Sequence, residues 1–225
     1  MSDVLRSETV SDQVYHILRQ KIINGSLKAG EPLVTSQLAE TLNTSRTPLR
    51  EALKRLEEAG WVERKTNGVM TVSDMSVMEL REIYSVRAVL EGLMTYEATP
   101  IITDAELDKI EEKLQQYDAI RESQVLAIVT IGEEIHSQIT KVAGNSTCQH
   151  LLEQILHKLN RYRTYSVSVS GRYKQVLTEH KEILRCMRAR DAEAAEKAMR
   201  KHLLNASVAG ERGIRKKLSD PAEKA

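Results

Sequence analysis

The chain has 225 residues, of which 41% are hydrophobic and 29% are charged, enough for one large domain or two modest ones. Its 33 Lys and Arg residues nearly balance 32 Asp and Glu residues, so the net charge of +1 selects no class of partner. Two cysteines are too few for a disulfide framework, and no apolar leader or long apolar run is present, so we expect a cytoplasmic protein without a membrane span.

The first predicted helix covers residues 11–24, with one apolar face made by Val14, Ile17, Leu18 and Ile22. Gly25 is a natural stop for this helix, and the sequence SLKAGEPL after it predicts a turn. Thr35 is suited to cap a second, short helix, which Asn43 is expected to close.

A third helix follows almost at once, with Thr44 as its predicted cap. Pro48 is tolerable in its first turn, where the backbone amides have no partners within the helix. Gly60 ends the helix, and its core-facing stripe is Leu49, Ala52, Leu53 and Leu56.

The segment WVERKTNGVMTV predicts a two-stranded hairpin. Its strands are expected at 61–62 and 69–72, and Asn67 with Gly68 favours the positive φ angles that a tight turn needs. Three helices followed by such a wing are typical of a winged helix-turn-helix domain, which we place at residues 1–75.

From residue 76 the pattern is helical almost to the end, so we predict a mainly α protein with an all-α bundle at 76–212. Thr103 with Glu106 has the spacing of a capping box. The polar residues 213–225 are expected to form a flexible tail. The six helices of the bundle are expected at 76–98, 103–122, 124–143, 147–168, 172–190 and 192–209.

The start of the third helix has the chemistry of a DNA-reading element. The second helix of a helix-turn-helix pair enters the major groove N-terminus first, and Arg46 and Arg50 leave nearly one side of it. An arginine fork can bind guanine or a phosphate, and short hydroxyl side chains suit phosphate. The predicted DNA contacts are Thr35, Ser45, Arg46, Thr47, Arg50, Lys65 and Gly68.

The alternative is an ordinary amphipathic helix whose arginines pair with Glu51, Glu57 and Glu58, because charged helix faces are usually only solvated. The two short helices, the early Pro48 and the Asn-Gly hairpin together favour DNA binding over that alternative.

Three histidines occupy apolar stripes of different helices in the second half of the chain: His136, His180 and His202. If they converge, their neutral imidazoles can bind Zn²⁺ or a similar divalent ion. The alternative for each is a buried histidine that is hydrogen-bonded to a neighbour.

The segments INGSLKAGEPL, SQLAETLNTSRTPLREALKRLEEAGWV and NGVMTV resemble the GntR family of bacterial transcription regulators over residues 10–73. The resemblance implies that Arg46 and Arg50 are the main operator contacts, with Thr47 and Gly68 assisting. Many relatives carry a charged residue just before the LA of the second helix, where this chain has Ser36 and Gln37.

The segments EEIHSQITKVAGN and EHKEILRCMRARDAEAAEKAMRKHL resemble the FCD ligand-binding domain over residues 76–209. Many such domains hold a divalent metal with one aspartate and three histidines, and the histidines correspond to His136, His180 and His202. Gly132 stands where the aspartate is expected. Three alternatives follow for the missing ligand. Glu133 can replace the aspartate, water or an effector can complete a three-histidine site, or the metal has been lost.

Arg87 matches an arginine often found on the first helix of that domain. It can pair with the carboxylate of an effector, or with Glu91 one helical turn away.

These features together predict a homodimeric transcription factor that binds double-stranded operator DNA and responds to a small organic acid, with a Zn, Ni or Mn ion as possible cofactor. Two other classes stay open. In one, the helical domain only dimerises; in the other, the histidines support metal-dependent hydrolysis, although no HExxH motif or phosphate-binding loop is present and we expect no enzyme.

Overall fold

A computed structural model describes residues 9–23, 26–74, 76–120, 124–167 and 169–219. The chain divides into two compact units, Met1–Met75 and Ser76–Ala225, which are described separately below. The stop predicted at Gly25 lies outside the described residues. No helix in the described parts is both long and apolar enough to span a membrane.

The first unit is three helices and a small antiparallel sheet, as the sequence predicted. Its elements are α1 (Val10–Ile23), α2 (Thr35–Thr41), α3 (Arg46–Glu58), β1 (Val62–Arg64) and β2 (Met70–Val72). The predicted stripe of α3 is buried, with Leu49, Ala52, Leu53 and Leu56 each no more than 2% exposed. These residues share one apolar core with Leu18 of α1 and with Trp61, which follows α3.

The turn between α2 and α3 is short because Asn43 takes a left-handed conformation, with φ of 46°. The amide of Thr44 donates to the carbonyl of Ala39 at 2.9 Å, and the amide of Asn43 donates to that of Glu40 at 3.1 Å. This hydrogen-bond pair is the Schellman arrangement, which ends one helix and redirects the chain. The expected closure of α2 at Asn43 is therefore confirmed.

The two predicted N-caps in this region are wrong. Thr35 is the first residue of α2, behind Val34, and the side chain at neither cap position makes a capping bond. The amide of Thr44 is committed to closing α2, so α3 begins one residue later, with Ser45 at its cap position. The predicted polar residues are present, but backbone bonds of the turn decide where the helices start.

The wing pairs Val62 with Val72 and Arg64 with Met70. Its turn closes through the amide of Gly68, which donates to the Lys65 carbonyl at 2.8 Å, and Gly68 has φ of 80°. Only the glycine of the Asn-Gly pair has positive φ. The end of the segment predicted as a turn, SLKAGEPL, is in fact extended, since Pro32 pairs with Thr71 at the free edge of β2.

The six helices predicted for the second unit all form. They are α4 (Val77–Ala98), α5 (Asp104–Asp118), α6 (Val125–Ala143), α7 (Ser146–Val167), α8 (Arg172–Arg188) and α9 (Ala192–Ser219). The predicted capping box is confirmed, because the Thr103 hydroxyl accepts from the Glu106 amide and the Glu106 carboxylate accepts from the Thr103 amide.

Helix α9 is ten residues longer than predicted, so the expected tail from residue 213 starts too early. Ile214 is 1% exposed, and Gly213 packs directly against the backbone of Tyr165 in α7. An apolar contact of this kind continues the helix through a polar sequence, because burial of one face stabilises it more than local propensity.

Candidate nucleic-acid interface and candidate metal centre

The first candidate site is the exposed start of α3. Ser45, Arg46, Thr47 and Arg50 are all exposed there, while Leu49 between them is fully buried. Because the apolar stripe fixes the rotation of the helix in its core, the two arginines point away from their own unit.

Two of the three glutamates considered as partners of these arginines are engaged elsewhere. Glu57 pairs with Arg64 of the wing at 3.3 Å, and Glu58 pairs with Lys54 at 3.8 Å. Within the described residues, no hydrogen bond or ion pair involves the guanidinium of Arg46 or Arg50. The alternative considered from the sequence was a surface helix whose arginines pair with its own glutamates. The geometry of the described residues does not show such pairs for Arg46 and Arg50.

The remaining predicted contacts are spread over the same unit. Gly68 is exposed at the tip of the wing turn, and a Cβ built on it would meet nothing within 4 Å. Lys65 is also exposed, but its ammonium donates to Glu63 at 2.7 Å, which raises the pKa of Lys65. Thr35 is half-buried at the start of α2.

The second candidate site lies inside the helical unit, where α6, α8 and α9 bring His136, His180 and His202 together. The three are at most 6% exposed, and one ring nitrogen from each lies within 4.8 Å of the other two. The Nε2 atom of His136 is 3.1 Å from Nε2 of His180 and 3.3 Å from Nε2 of His202.

Two carboxylates support this histidine cluster by hydrogen bonds to its rings. Glu91 of α4 is hydrogen-bonded to Nδ1 of His136, and Glu179 of α8 is hydrogen-bonded to Nδ1 of His202 at 2.7 Å. A carboxylate at Nδ1 orients the ring and leaves Nε2 free for a ligand bond. Sequence reasoning missed both supports, although Glu179 directly precedes His180.

Each supporting carboxylate is in turn paired with a buried arginine. Arg87 donates from Nε to Glu91. Arg172 donates two hydrogen bonds to Glu179, each of 2.8 Å. Burial alone would raise the pKa of Glu179, but the bonds from His202 and Arg172 outweigh it and lower the pKa to about 2. The carboxylates therefore stay ionised as acceptors for the imidazoles.

Burial also keeps the imidazoles ready to bind a cation. It lowers the pKa of His180 well below its ordinary value and the pKa of His202 to about 4. Both rings are thus neutral near pH 7, which is the form that ligates metals.

The three histidines fit a divalent metal. Zn–N bonds of about 2.0–2.1 Å in a tetrahedral site separate ligand nitrogens by about 3.3 Å, close to the separations between His136 and its two neighbours. His136, His180 and His202 are the residues that would hold the ion. As a Lewis acid, a bound ion supplies positive charge and an open position for an anionic ligand.

The position expected to supply an aspartate faces this cluster. A Cβ built on Gly132 would lie 3.9 Å from Cε1 of His180, with no closer neighbour. Glu133, considered as a substitute, forms an ion pair with Arg163 of α7 instead. The described donors around the metal position are therefore three imidazole nitrogens.

A small cavity of about 60 Å³ opens onto the cluster and is lined by Arg87, Gly132 and Arg163 as well as by the histidines. Arg87 is 5% exposed and Arg163 is 9% exposed, so both guanidinium groups lie inside the unit. Of the two roles weighed for Arg87, the ion pair with Glu91 is present, and the same side chain also lines the cavity.

Two family models match the chain. The model of the bacterial regulatory proteins of the gntR family matches residues 10–72, and the model of the FCD domain matches residues 82–205, more than half of the chain. The first match holds α3 and the wing, and the second holds all three histidines.

Similar proteins extend over nearly the whole chain. The HTH-type transcriptional repressor RspR of Escherichia coli K12 is 27% identical over 215 residues, covering 95% of this chain and 94% of its own. The HTH-type transcriptional regulator LutR of Bacillus subtilis is 26% identical over 209 residues, covering 82% of this chain and 93% of its own.

Solved structures share the fold. E. coli McbR/YncC superposes with a TM-score of 0.63 at 22% identity, covering 87% of this chain and 94% of its own. The regulator Lar of Listeria monocytogenes superposes with a TM-score of 0.66 at 19% identity, covering 92% of this chain and 99% of its own. The chain belongs to the GntR family of bacterial transcription regulators whose members carry an FCD domain, a family of regulators and not of enzymes.

Proposed function

We propose that this regulator is a cytoplasmic homodimer whose affinity for operator DNA is controlled by a small organic acid, bound with a divalent metal in the helical unit. The observation that carries the proposal is one cavity that joins three buried histidines to two buried arginines. No part of a DNA-reading domain needs such a cavity, so a second binding function is the simplest reason for it.

Operator recognition is assigned to Arg46 and Arg50, with Ser45, Thr47 and the wing residues holding the phosphate backbone. Both guanidinium groups are exposed and unpaired within the described residues, so binding DNA breaks no internal ion pair. Two copies of such a unit read an inverted repeat, because dimer symmetry and operator symmetry match.

The effector is proposed to be an anion because every charged group that its cavity offers for direct contact, apart from Glu133, is positive. Arg163 and Arg87 line the cavity but are paired with Glu133 and Glu91, so the net positive charge comes from a metal on the histidines, which adds two charges. With glycine at 132, no carboxylate from α6 reaches the metal, so the carboxylate of the effector can take that position. The effector then changes DNA affinity only if it binds one arrangement of the protein more tightly than the other.

A homodimer is supported by an exposed apolar stripe on α4. Val86, Val89, Leu93 and Tyr96 follow one another three and four residues apart and are 37–50% exposed. This is the spacing of a helix–helix seam, and a two-fold axis would pair the stripe with itself. In sedimentation experiments, Leu93→Glu should dissociate the dimer, whereas Leu151→Glu, at an equally exposed leucine on α7, should not.

The metal and the effector are tested together. Purified protein is analysed for bound elements, and then titrated with di- and tricarboxylic acids while DNA affinity and melting temperature are followed. We expect a divalent ion and an acid-dependent change in DNA affinity, both lost in His136→Ala. If wild-type protein holds no metal, gains no stability from added Zn²⁺ and ignores every acid, the helical unit serves only to dimerise the DNA-binding units.

A further inference from the structure

A groove of about 630 Å³ runs between α8 and α9, apart from the histidine cavity. The linings of the two have no residue in common. Small-molecule sites commonly have volumes of about 300–1,000 Å³, so the groove has room for a metabolite.

The walls of this groove carry three cationic side chains, namely Lys174 on α8 and Lys201 and Arg212 on α9. All three are exposed, and none forms a hydrogen bond or a close ion pair with a carboxylate within the described part of the chain, although the charge of Lys201 helps to lower the pKa of Glu182. The arginines Arg185, Arg188 and Arg200 on the same two helices, in contrast, each pair with a carboxylate.

The floor of the groove is a buried, neutralised pair. Arg172 is 3% exposed and is held by the double hydrogen bond to Glu179, whose carboxylate also accepts from Asn205 at 2.7 Å. Since Arg172 cancels the charge of Glu179, the groove keeps the net positive charge of its walls.

Uncharged polar residues complete the lining. They are Gln175, Thr178, whose hydroxyl donates to the Lys174 carbonyl at 3.0 Å, and Ser170, which lies beside the N-terminal end of α8, a helix of 17 residues. The partial positive charge of a helix N-terminus adds to the field of the three cations. The donors thus surround a region that attracts negative charge from several directions.

We infer that this groove is a second ligand site, which binds a small polyanion carrying phosphate or carboxylate groups. The three cations that define the site do not line the histidine cavity, although Glu179 in the floor of the groove also supports His202. Exposed lysines are usually only solvated. Three unpaired cations around one concave, donor-lined groove are what a polyanion needs, and they cost repulsion when no anion is bound.

The test is calorimetric titration of full-length, chelator-treated protein with pyrophosphate and with citrate. Lys201→Ala should raise the dissociation constant about threefold, and Lys201→Ala with Arg212→Ala about tenfold, as expected for exposed charges. The matched control is Lys197→Ala, one turn earlier on α9 and outside the groove, which should leave binding unchanged. Melting temperatures should stay the same in all variants, because the substituted side chains are exposed.

The two probes separate the sources of the anion: tighter binding of pyrophosphate indicates a phosphorylated ligand, and tighter binding of citrate a polycarboxylate. Pyrophosphate can also bind the arginines of the DNA-binding unit, so Arg46→Ala is titrated in parallel. Binding lost in Arg46→Ala but kept in the groove variants would overturn the inference. The same conclusion follows if neither probe binds, or if double-stranded DNA competes fully with both.

Discussion

Gly132 and His180 face each other across the candidate metal centre. A Cβ on Gly132 would be 3.9 Å from Cε1 of His180 and would meet no closer atom, so a larger residue fits there. Residue 132 thus faces the histidine cluster but contributes no ligand, and the cluster is left with three imidazole donors.

Gly132→Asp should therefore strengthen metal binding. A carboxylate adds both a fourth ligand and a negative charge next to the cation, and we expect a gain of about tenfold or more, on the order of 1.4 kcal/mol. Competition with a coloured chelator measures the affinity. Gly132→Ala fills the same direction without a ligand and should bind metal as the wild type does. Equal affinity in the aspartate and alanine variants would show that position 132 does not reach the ion.

Glu179→Gln should weaken metal binding although Glu179 is not a ligand. The carboxylate accepts from Nδ1 of His202 at 2.7 Å, and loss of such a support typically costs about 10–100-fold in metal affinity. The matched control is Glu182→Gln on the same helix, whose exposed carboxylate bonds to Arg185 and Cys186 and to none of the three histidines. If both variants bind metal equally well, Glu179 has no role in orienting the ring.

Gly213→Ala should destabilise the helical unit. A Cβ there would overlap the carbonyl oxygen of Tyr165 and lie 3.1 Å from the carbonyl carbon, and backbone cannot move aside as a flexible side chain can. Overpacking of this kind costs about 1–3 kcal/mol, more than the helix propensity that alanine gains. Denaturant unfolding measures the loss, with Gly132→Ala as the control that adds a Cβ without a clash. Unchanged stability would mean that α7 and α9 can separate slightly.

The sequence predicted the fold because its signals were local. The apolar stripe of α3, the Asn-Gly hairpin and the capping box at Thr103 each depend on residues within one or two turns of each other. The predictions that failed depended on other parts of the chain. The cap at Thr44 was overruled by the turn that closes α2, and the end of α9 was extended by the contact of Gly213 with Tyr165.

The same distinction applies to the histidine site. His136, His180 and His202 could be selected from the sequence because each interrupts an apolar stripe, which predicts that the side chain points inward. Their support by Glu91 and Glu179 could not be selected, since Glu91 is 45 residues from His136 and the contact exists only after α4 and α6 pack. Arg163 was missed for the same reason.

The central claim is that Arg46 and Arg50 read the operator, and DNA binding by single variants tests it most directly. A DNA fragment is first selected from a random pool by the wild-type protein, and its affinity is then measured by fluorescence anisotropy. Arg46→Ala and Arg50→Ala should each cost about 1–3 kcal/mol, whereas Lys54→Ala, at a lysine paired with Glu58 on the same helix, should change little. Wild-type affinity in both arginine variants, with the fold intact, would contradict the account.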